Sequence, residues 1–186
     1  VATVRRFVAR DVIPVASQLE HADEFPADIV ATMRELGLFG VTIPEEYGGL
    51  GLDLPTYVEI VEELAYGWMT LTGIVNTHTM AATLLMRHGN DEQKSRLLPS
   101  MATGEVRGAM SLSEPDAGSD TRNIACNAVR DGDVYVISGT KAWVTNGERA
   151  GIVALVARTA EGVSTFVVEK EPGPAFEGIT VSSHVG

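Results

Sequence analysis

The chain has 186 residues, 45% of them hydrophobic and 21% charged, a balance that belongs to a globular protein rather than a disordered one. Its formal net charge of −11 argues against a nonspecific nucleic-acid binder, because phosphate binding needs a cationic surface. That length holds one large domain or two small ones. Cys126 is the only cysteine, so no internal disulfide can form, which fits a reducing compartment; we expect it as a small buried residue on a strand. No run approaches the roughly twenty apolar residues of a membrane span. Val1 to Phe7 carry the charge of a targeting leader, yet Asp11 and Glu20 follow at once without a cleavage-like site, so a first helix is expected there. The starting Val and the plain finish at His184-Val185-Gly186 lead us to expect part of a longer chain.

Val4, Phe7, Val8 and Val12 recur at helical spacing, and Pro14 must start, kink or end that helix. Phe25-Pro26 opens a second helix whose Ile29, Val30, Met33 and Leu36 share a face, with Gly37 at its stop. The stretch Val41 to Gly51, with Pro44 and Gly48-Gly49, reads as a loop that can bring backbone close to a ligand or simply connect helices. Pro55 starts a third helix with Val58, Val61, Leu64, Ala65 and Trp68 as its buried stripe and Glu59, Glu62 and Glu63 on its solvated side. Leu71 to His88 is uncharged enough for a helix buried on several sides. Asn90 with Gln93 resembles a capping box for a helix from Asp91 to about Met101.

The pattern changes near Gly104. Ile124 to Val129, Val134 to Ser138, Ile152 to Ala157, Thr165 to Glu169 and Ile179 to Val181 are short and β-branched, and Asp131-Gly132 is a hairpin signal. The expected architecture is α+β: an all-α domain over residues 1–104, then an antiparallel β-sandwich or barrel domain over 105–186, the two packed on each other.

Chemistry concentrates in two stretches. Ala109 to Asp120 is an apolar run that breaks into a turn of Pro, Gly, Ser and Asp, exposing the N–H groups and hydroxyls an anionic phosphate requires. Lys141 to Gly147 puts Trp143 and Thr145 two apart on an expected strand, hence on one face. Together they suit a flat, polar heterocycle with a phosphate tail. Glu114 and Asp120 are expected to cap the turn rather than act as catalytic acids. His21, His78, His88 and His184 show no ligand spacing, so no metal site is expected. There is no G-x-G-x-x-G, so a Rossmann dinucleotide fold is unsupported.

The segment Met110 to Asp120 with Trp143-Val144-Thr145 resembles the flavin-binding signature of the acyl-CoA dehydrogenase family. The likeness extends, in the family's order, through Pro44-Glu45-Glu46-Tyr47-Gly48-Gly49 and Gly89-Asn90-Asp91-Glu92-Gln93-Lys94. It implies FAD as cofactor. Met110, Leu112 and Ser113 would contact the isoalloxazine, and Gly118 and Ser119 the pyrophosphate, with Ser119 also near the pantetheine of a CoA ester. Trp143 would pack on the ring, and Thr145 would hydrogen-bond its N5 or O4 side. Met110 stands where the family often has an aromatic residue, and Asp116 where a Gly is frequent.

The resemblance further implies α,β-dehydrogenation of an acyl-CoA to a trans-2-enoyl-CoA, with hydride passing to flavin N5. It implies an electron-transferring flavoprotein or other acceptor, a homotetramer, and a cytoplasmic or mitochondrial-matrix location. The family's catalytic base belongs to a C-terminal four-helix bundle, which this sequence does not contain, so no catalytic residue is assigned. His78 and Met80 fall on the helix that lines the acyl pocket in relatives, and packing alone also accounts for them. The scaffold also serves flavin oxidases and monooxygenases. A non-catalytic helical binding module is the rival from another class.

Overall fold

The computed structural model describes residues 1–176 and 178–181. It comprises two compact units, Val1–Val106 and Arg107–Gly186.

The first unit is helical. Its opening run is α1 (Ala2–Phe7), a π-turn (Val8–Val12) and α2 (Ile13–His21). Pro14 explains the middle piece. A proline inside an α-helix loses one hydrogen bond and its ring clashes with the carbonyl four residues back. Here the Ile13 N–H reaches back to the Val8 carbonyl instead, widening the turn just ahead of Pro14. The helical face stays apolar throughout, burying Val4, Phe7, Val8 and Val12.

α3 (Ala27–Glu35) buries Ile29, Val30 and Met33. It ends as a Gly can end it: Gly37 adopts φ +73°, and the Leu38 N–H returns to the Met33 carbonyl at 3.0 Å. In the following loop the Gly49 backbone lies against the Ile43 carbonyl, leaving no room for a side chain.

α4 (Leu54–Gly67) is capped by Asp53, whose carboxylate accepts the Thr56 N–H at 3.0 Å. Its buried stripe is Tyr57, Ile60, Leu64 and the flanking Trp68, not the one expected from Val58, which is 55% exposed. Both stripes satisfy a helical repeat through Leu64, and packing selects the one that carries the tyrosine. Glu63 pairs with Arg5 of α1, which holds its carboxyl below the usual range. α5 (Met69–His88) is buried on several sides, through Leu71, Val75, His78, Ala82 and Leu85 among others. α6 (Asp91–Ala102) begins with the capping box: Asn90 accepts from the Gln93 N–H at 2.8 Å, and Gln93 accepts from the Asn90 N–H at 3.0 Å.

The second unit is a sheet. Its strands are β1 (Gly108–Ser111), β2 (Asn127–Asp131), β3 (Val134–Ser138), β4 (Ile152–Thr159) and β5 (Gly162–Glu169). A short pair follows, β6 (Ala175–Phe176) with β7 (Ile179–Thr180). β2 and β3 form the expected hairpin, with Asp131 opposite Val134 and Gly132 at φ +60° in the turn.

The expected antiparallel sandwich or barrel is corrected. The sheet is mixed, because β4 runs parallel to both β1 and β2 and antiparallel only to β5. Between β1 and β4 the chain makes a long excursion through the β2–β3 hairpin, and such a crossover is what a parallel pair requires. Among the described residues the strands do not close into a barrel. β1 and β6 fall outside the runs expected to be strands, since neither is a β-branched stretch.

Candidate functional site

The candidate site is built from the two loops that leave β1 and β3. After Ser111 the chain folds back on itself, the Glu114 N–H donating to the Ala117 carbonyl at 2.8 Å and the Ala117 N–H to the Glu114 carbonyl at 3.3 Å. Pro115-Asp116 form the tip of this turn. Gly118 and Ser119 follow, both exposed, and a Cβ added at Gly118 would meet nothing within 4 Å. Asp120 then caps a 3₁₀ turn (Thr121–Asn123), accepting from the Arg122 N–H at 3.2 Å and from Asn123 Nδ2 at 2.6 Å.

The second loop runs from the end of β3 to the start of β4. Here another expectation is corrected: Trp143 and Thr145 do not lie on a strand. Trp143 has φ +53° and Asn146 φ +65°, and the Gly147 N–H closes a turn on the Val144 carbonyl at 2.8 Å. A left-handed backbone at a bulky residue is an uncommon conformation that neighbouring contacts must hold. Its result is that Ala142 and Val144 turn inward while the Trp143 ring stays 70% exposed.

These loops are fastened to each other. The Ala142 N–H donates to the Ser113 carbonyl at 2.8 Å. Lys141 Nζ donates to the Leu112 carbonyl at 3.0 Å and to Glu114 Oε1 at 2.8 Å. The Glu114 carboxylate also accepts the Ala125 N–H at 2.5 Å and the Cys126 N–H at 2.9 Å. The Lys141 and Glu114 side chains are only 8% and 5% exposed. Burial pushes the Glu114 carboxyl up, but Lys141 and the two backbone donors outweigh it and hold the group below the ordinary carboxylate range. Glu114 is therefore a turn-binding anion, unsuited to act as a proton acceptor. Cys126 is buried, and burial raises its thiol, which disfavours the thiolate.

The structure thus brings the signature residues together around one clasp. Met110 and Leu112 pack against Ala117, Ile124 and Val156, whereas Val144 packs on the other face of β1 with Ala109, Ala150 and Val153. Ser113 is partly buried between the loops, and Gly118, Ser119, Trp143 and Thr145 face outward. Their chemistry fits a flavin nucleotide: exposed hydroxyls, an indole plate, and Gly118 and Ser119 N–H groups without backbone acceptors among the described residues. The residue that sequence reasoning missed is Lys141, whose partner is 27 positions away and leaves no local pattern.

In the helical unit His78 is fully buried, edge-on to the Phe39 ring at 5.2 Å between centroids, and Met80 is 44% exposed. His184 lies outside the described residues. Among the described residues no side-chain cluster could hold a metal ion, and no helix is long and apolar enough to cross a membrane.

Two family models cover nearly the whole chain: the acyl-CoA dehydrogenase N-terminal domain over residues 1–105 and the middle domain over residues 109–185. The chain belongs to the acyl-CoA dehydrogenase family. It is 39% identical to (2S)-methylsuccinyl-CoA dehydrogenase of Cereibacter sphaeroides, over 91% of this chain and 32% of that protein. It is 37% identical to the short-chain specific acyl-CoA dehydrogenase of Clostridium acetobutylicum, over 96% of this chain and 48% of that protein. It is similar to the crystal structure of a glutaryl-CoA dehydrogenase from Mycobacterium smegmatis in complex with FADH2. That match has a TM-score of 0.85 at 31% identity and covers 90% of this chain and 44% of the other. The chain spans less than half the length of each of these proteins.

Proposed function

We propose that this chain forms part of an FAD-dependent acyl-CoA dehydrogenase that oxidises the Cα–Cβ bond of an acyl-CoA thioester to a trans-2-enoyl-CoA. The observation that carries the reading is the clasp itself. Two stretches separated in sequence are held side by side by the Ala142–Ser113 and Lys141–Leu112 bonds, with the outward-facing side chains of both left open to a ligand. FAD, when bound, supplies the acceptor for the hydride. The residues of this chain bind and orient it: Trp143 offers a plate for the ring, Ser113 and Thr145 offer hydrogen bonds to its polar edge, and Met110 and Leu112 shape the apolar support beneath. Val144 anchors the Trp143 loop to β1. Gly118 and Ser119 offer N–H groups and a hydroxyl to the pyrophosphate, and Ser119 lies near the pantetheine of the substrate. Hydrogen bonds at the polar edge count most where charge develops during reduction.

None of these residues is assigned as the base. Glu114 is committed to Lys141 and Asp120 to its cap, so neither serves as the base; the resemblance to the family implies an α-proton acceptor from its C-terminal helical bundle. Electrons pass onward to an electron-transferring flavoprotein or comparable acceptor. The working assembly is a homotetramer in the cytoplasm or, in a eukaryote, the mitochondrial matrix. Anaerobic mixing of full-length protein with a panel of acyl-CoAs, following flavin absorbance, tests the reading. Bleaching by one substrate class supports it; a protein that takes up no FAD, or takes it up and is bleached by none of the panel, refutes it.

A further inference from the structure

We propose that Lys141 is a positioning residue of the flavin site: it fixes the Leu112–Ser113 peptide so that the Ser113 N–H faces the ligand. The inference rests on the flavin reading above. Lys141 Nζ, almost wholly buried, donates to the Leu112 carbonyl at 3.0 Å. In a planar trans peptide the carbonyl and the following N–H point in opposite directions. Tying the Leu112 carbonyl to the buried ammonium therefore aims the Ser113 N–H away from it.

That N–H has no backbone acceptor among the described residues. The next peptide is fixed as well, because the Ser113 carbonyl accepts the Ala142 N–H at 2.8 Å. Ser113 is thus held on both sides while its donor stays available.

Glu114 keeps the ammonium in place. Its carboxylate is itself pinned by the Ala125 and Cys126 N–H groups, so the pair has little freedom to shift. An apolar side chain at position 141 would fill the same space. It would leave the Leu112 carbonyl without its donor and Glu114 without its cation, and the peptide could then rotate. The pyrimidine half of a flavin carries carbonyl oxygens and ring nitrogens that accept hydrogen bonds and gains negative charge on reduction. A fixed N–H directed at it favours the reduced form over the oxidised one.

The test compares FAD affinity and the reduction potential of bound FAD in full-length wild type, Lys141→Met and Lys141→Gln. Lys141→Met is expected to bind FAD at least tenfold more weakly. Its preference for reduced over oxidised flavin should fall about tenfold, a drop of about 30 mV for a two-electron couple. Lys141→Gln keeps a neutral donor and should shift both quantities less, in the same direction. A purely structural role would lower the melting temperature and leave the potential unchanged. Affinity within twofold and an unchanged potential in folded Lys141→Met overturn the proposal. Should Lys141→Met not fold, the same unchanged values in Lys141→Gln overturn it. Wild type that binds no FAD refutes the flavin reading itself, whereas wild-type binding with unaltered variants refutes only the role of Lys141.

Discussion

Glu114 and Lys141 face each other at 2.8 Å inside the sheet unit, and the carboxylate is the more heavily engaged of the two, with backbone donors from Ala125 and Cys126 on its other sides. Its pKa in the folded protein is depressed. A depressed carboxyl stabilises the fold above its unfolded value, near about 4.3 for a glutamate. That stabilisation is lost as pH falls through the lower folded value. Denaturant unfolding of the protein as a function of pH should therefore show stability falling on acidification below about pH 4.3. Glu114→Gln should be less stable at neutral pH and flatter in acid. Removing the carboxylate outright, in Glu114→Ala, strands a buried ammonium and should cost about 3–5 kcal/mol. A variant as pH-sensitive as wild type over this range would show that Glu114 is not the group responsible.

The two tryptophans should separate stability from cofactor binding. Trp68 is 8% exposed and its indole N–H donates to Glu20, whereas Trp143 is 70% exposed. Trp68→Ala should destabilise by about 3–5 kcal/mol. Trp143→Ala should leave the fold nearly unchanged and weaken FAD in a titration of full-length protein. Equal FAD affinity in the two folded variants would remove Trp143 from the flavin site.

Gly49 and Gly118 make a second contrast. A Cβ at Gly49 would lie 2.0 Å from the Ile43 carbonyl oxygen, a backbone atom that cannot swing aside. Gly49→Ala should cost about 3 kcal/mol in denaturant unfolding. At Gly118 the same methyl meets open space. Gly118→Ala should therefore change stability by less than about 0.5 kcal/mol, yet weaken FAD because it keeps a phosphate from the backbone. Wild-type FAD affinity in Gly118→Ala would argue against phosphate at this turn.

Asn90→Ala should destabilise the helical unit by about 1 kcal/mol, since it removes the side-chain acceptor for the Gln93 N–H while leaving the bond from its own backbone N–H to Gln93 in place. Thermal unfolding of the variant, compared with Asn90→Ser, which retains a capping oxygen, checks this. No loss in the alanine variant would mean that the Asn90 side chain contributes nothing to the first turn of α6.

Features with a local cause are legible in the sequence. Asn90 and Gln93 sit three apart and bond each other, and Asp131-Gly132 opens the turn between two β-branched runs. Gly37 ends α3 where the apolar repeat stops. Features set by distant partners are not legible. Trp143, Val144 and Thr145 are strand-forming residues, but the Ala142–Ser113 bond and the positive φ at Trp143 pull them into a loop. Val58 and Tyr57 compete for one helical face, and only the neighbouring helices decide between them. The site residues stand out as donors in sequence, whereas the ion pair that aligns them depends on a contact no spacing rule reveals.

The position of β4 also sets a timetable. It meets β5 across a tight hairpin, Thr159 opposite Gly162, so that pairing can form as soon as both strands exist. Its ladder with β1, from Gly108 opposite Ile152 to Ser111 opposite Leu155, must instead close over everything between. Loop closure of that span is entropically slow compared with a local hairpin. During synthesis β1 leaves the ribosome well before its partner and must wait unpaired, with Ala109 and Met110 uncovered. The loop carrying Ser113 leaves the end of β1 and the loop carrying Trp143 leads into β4, so closing that long-range ladder also lays the two loops alongside each other.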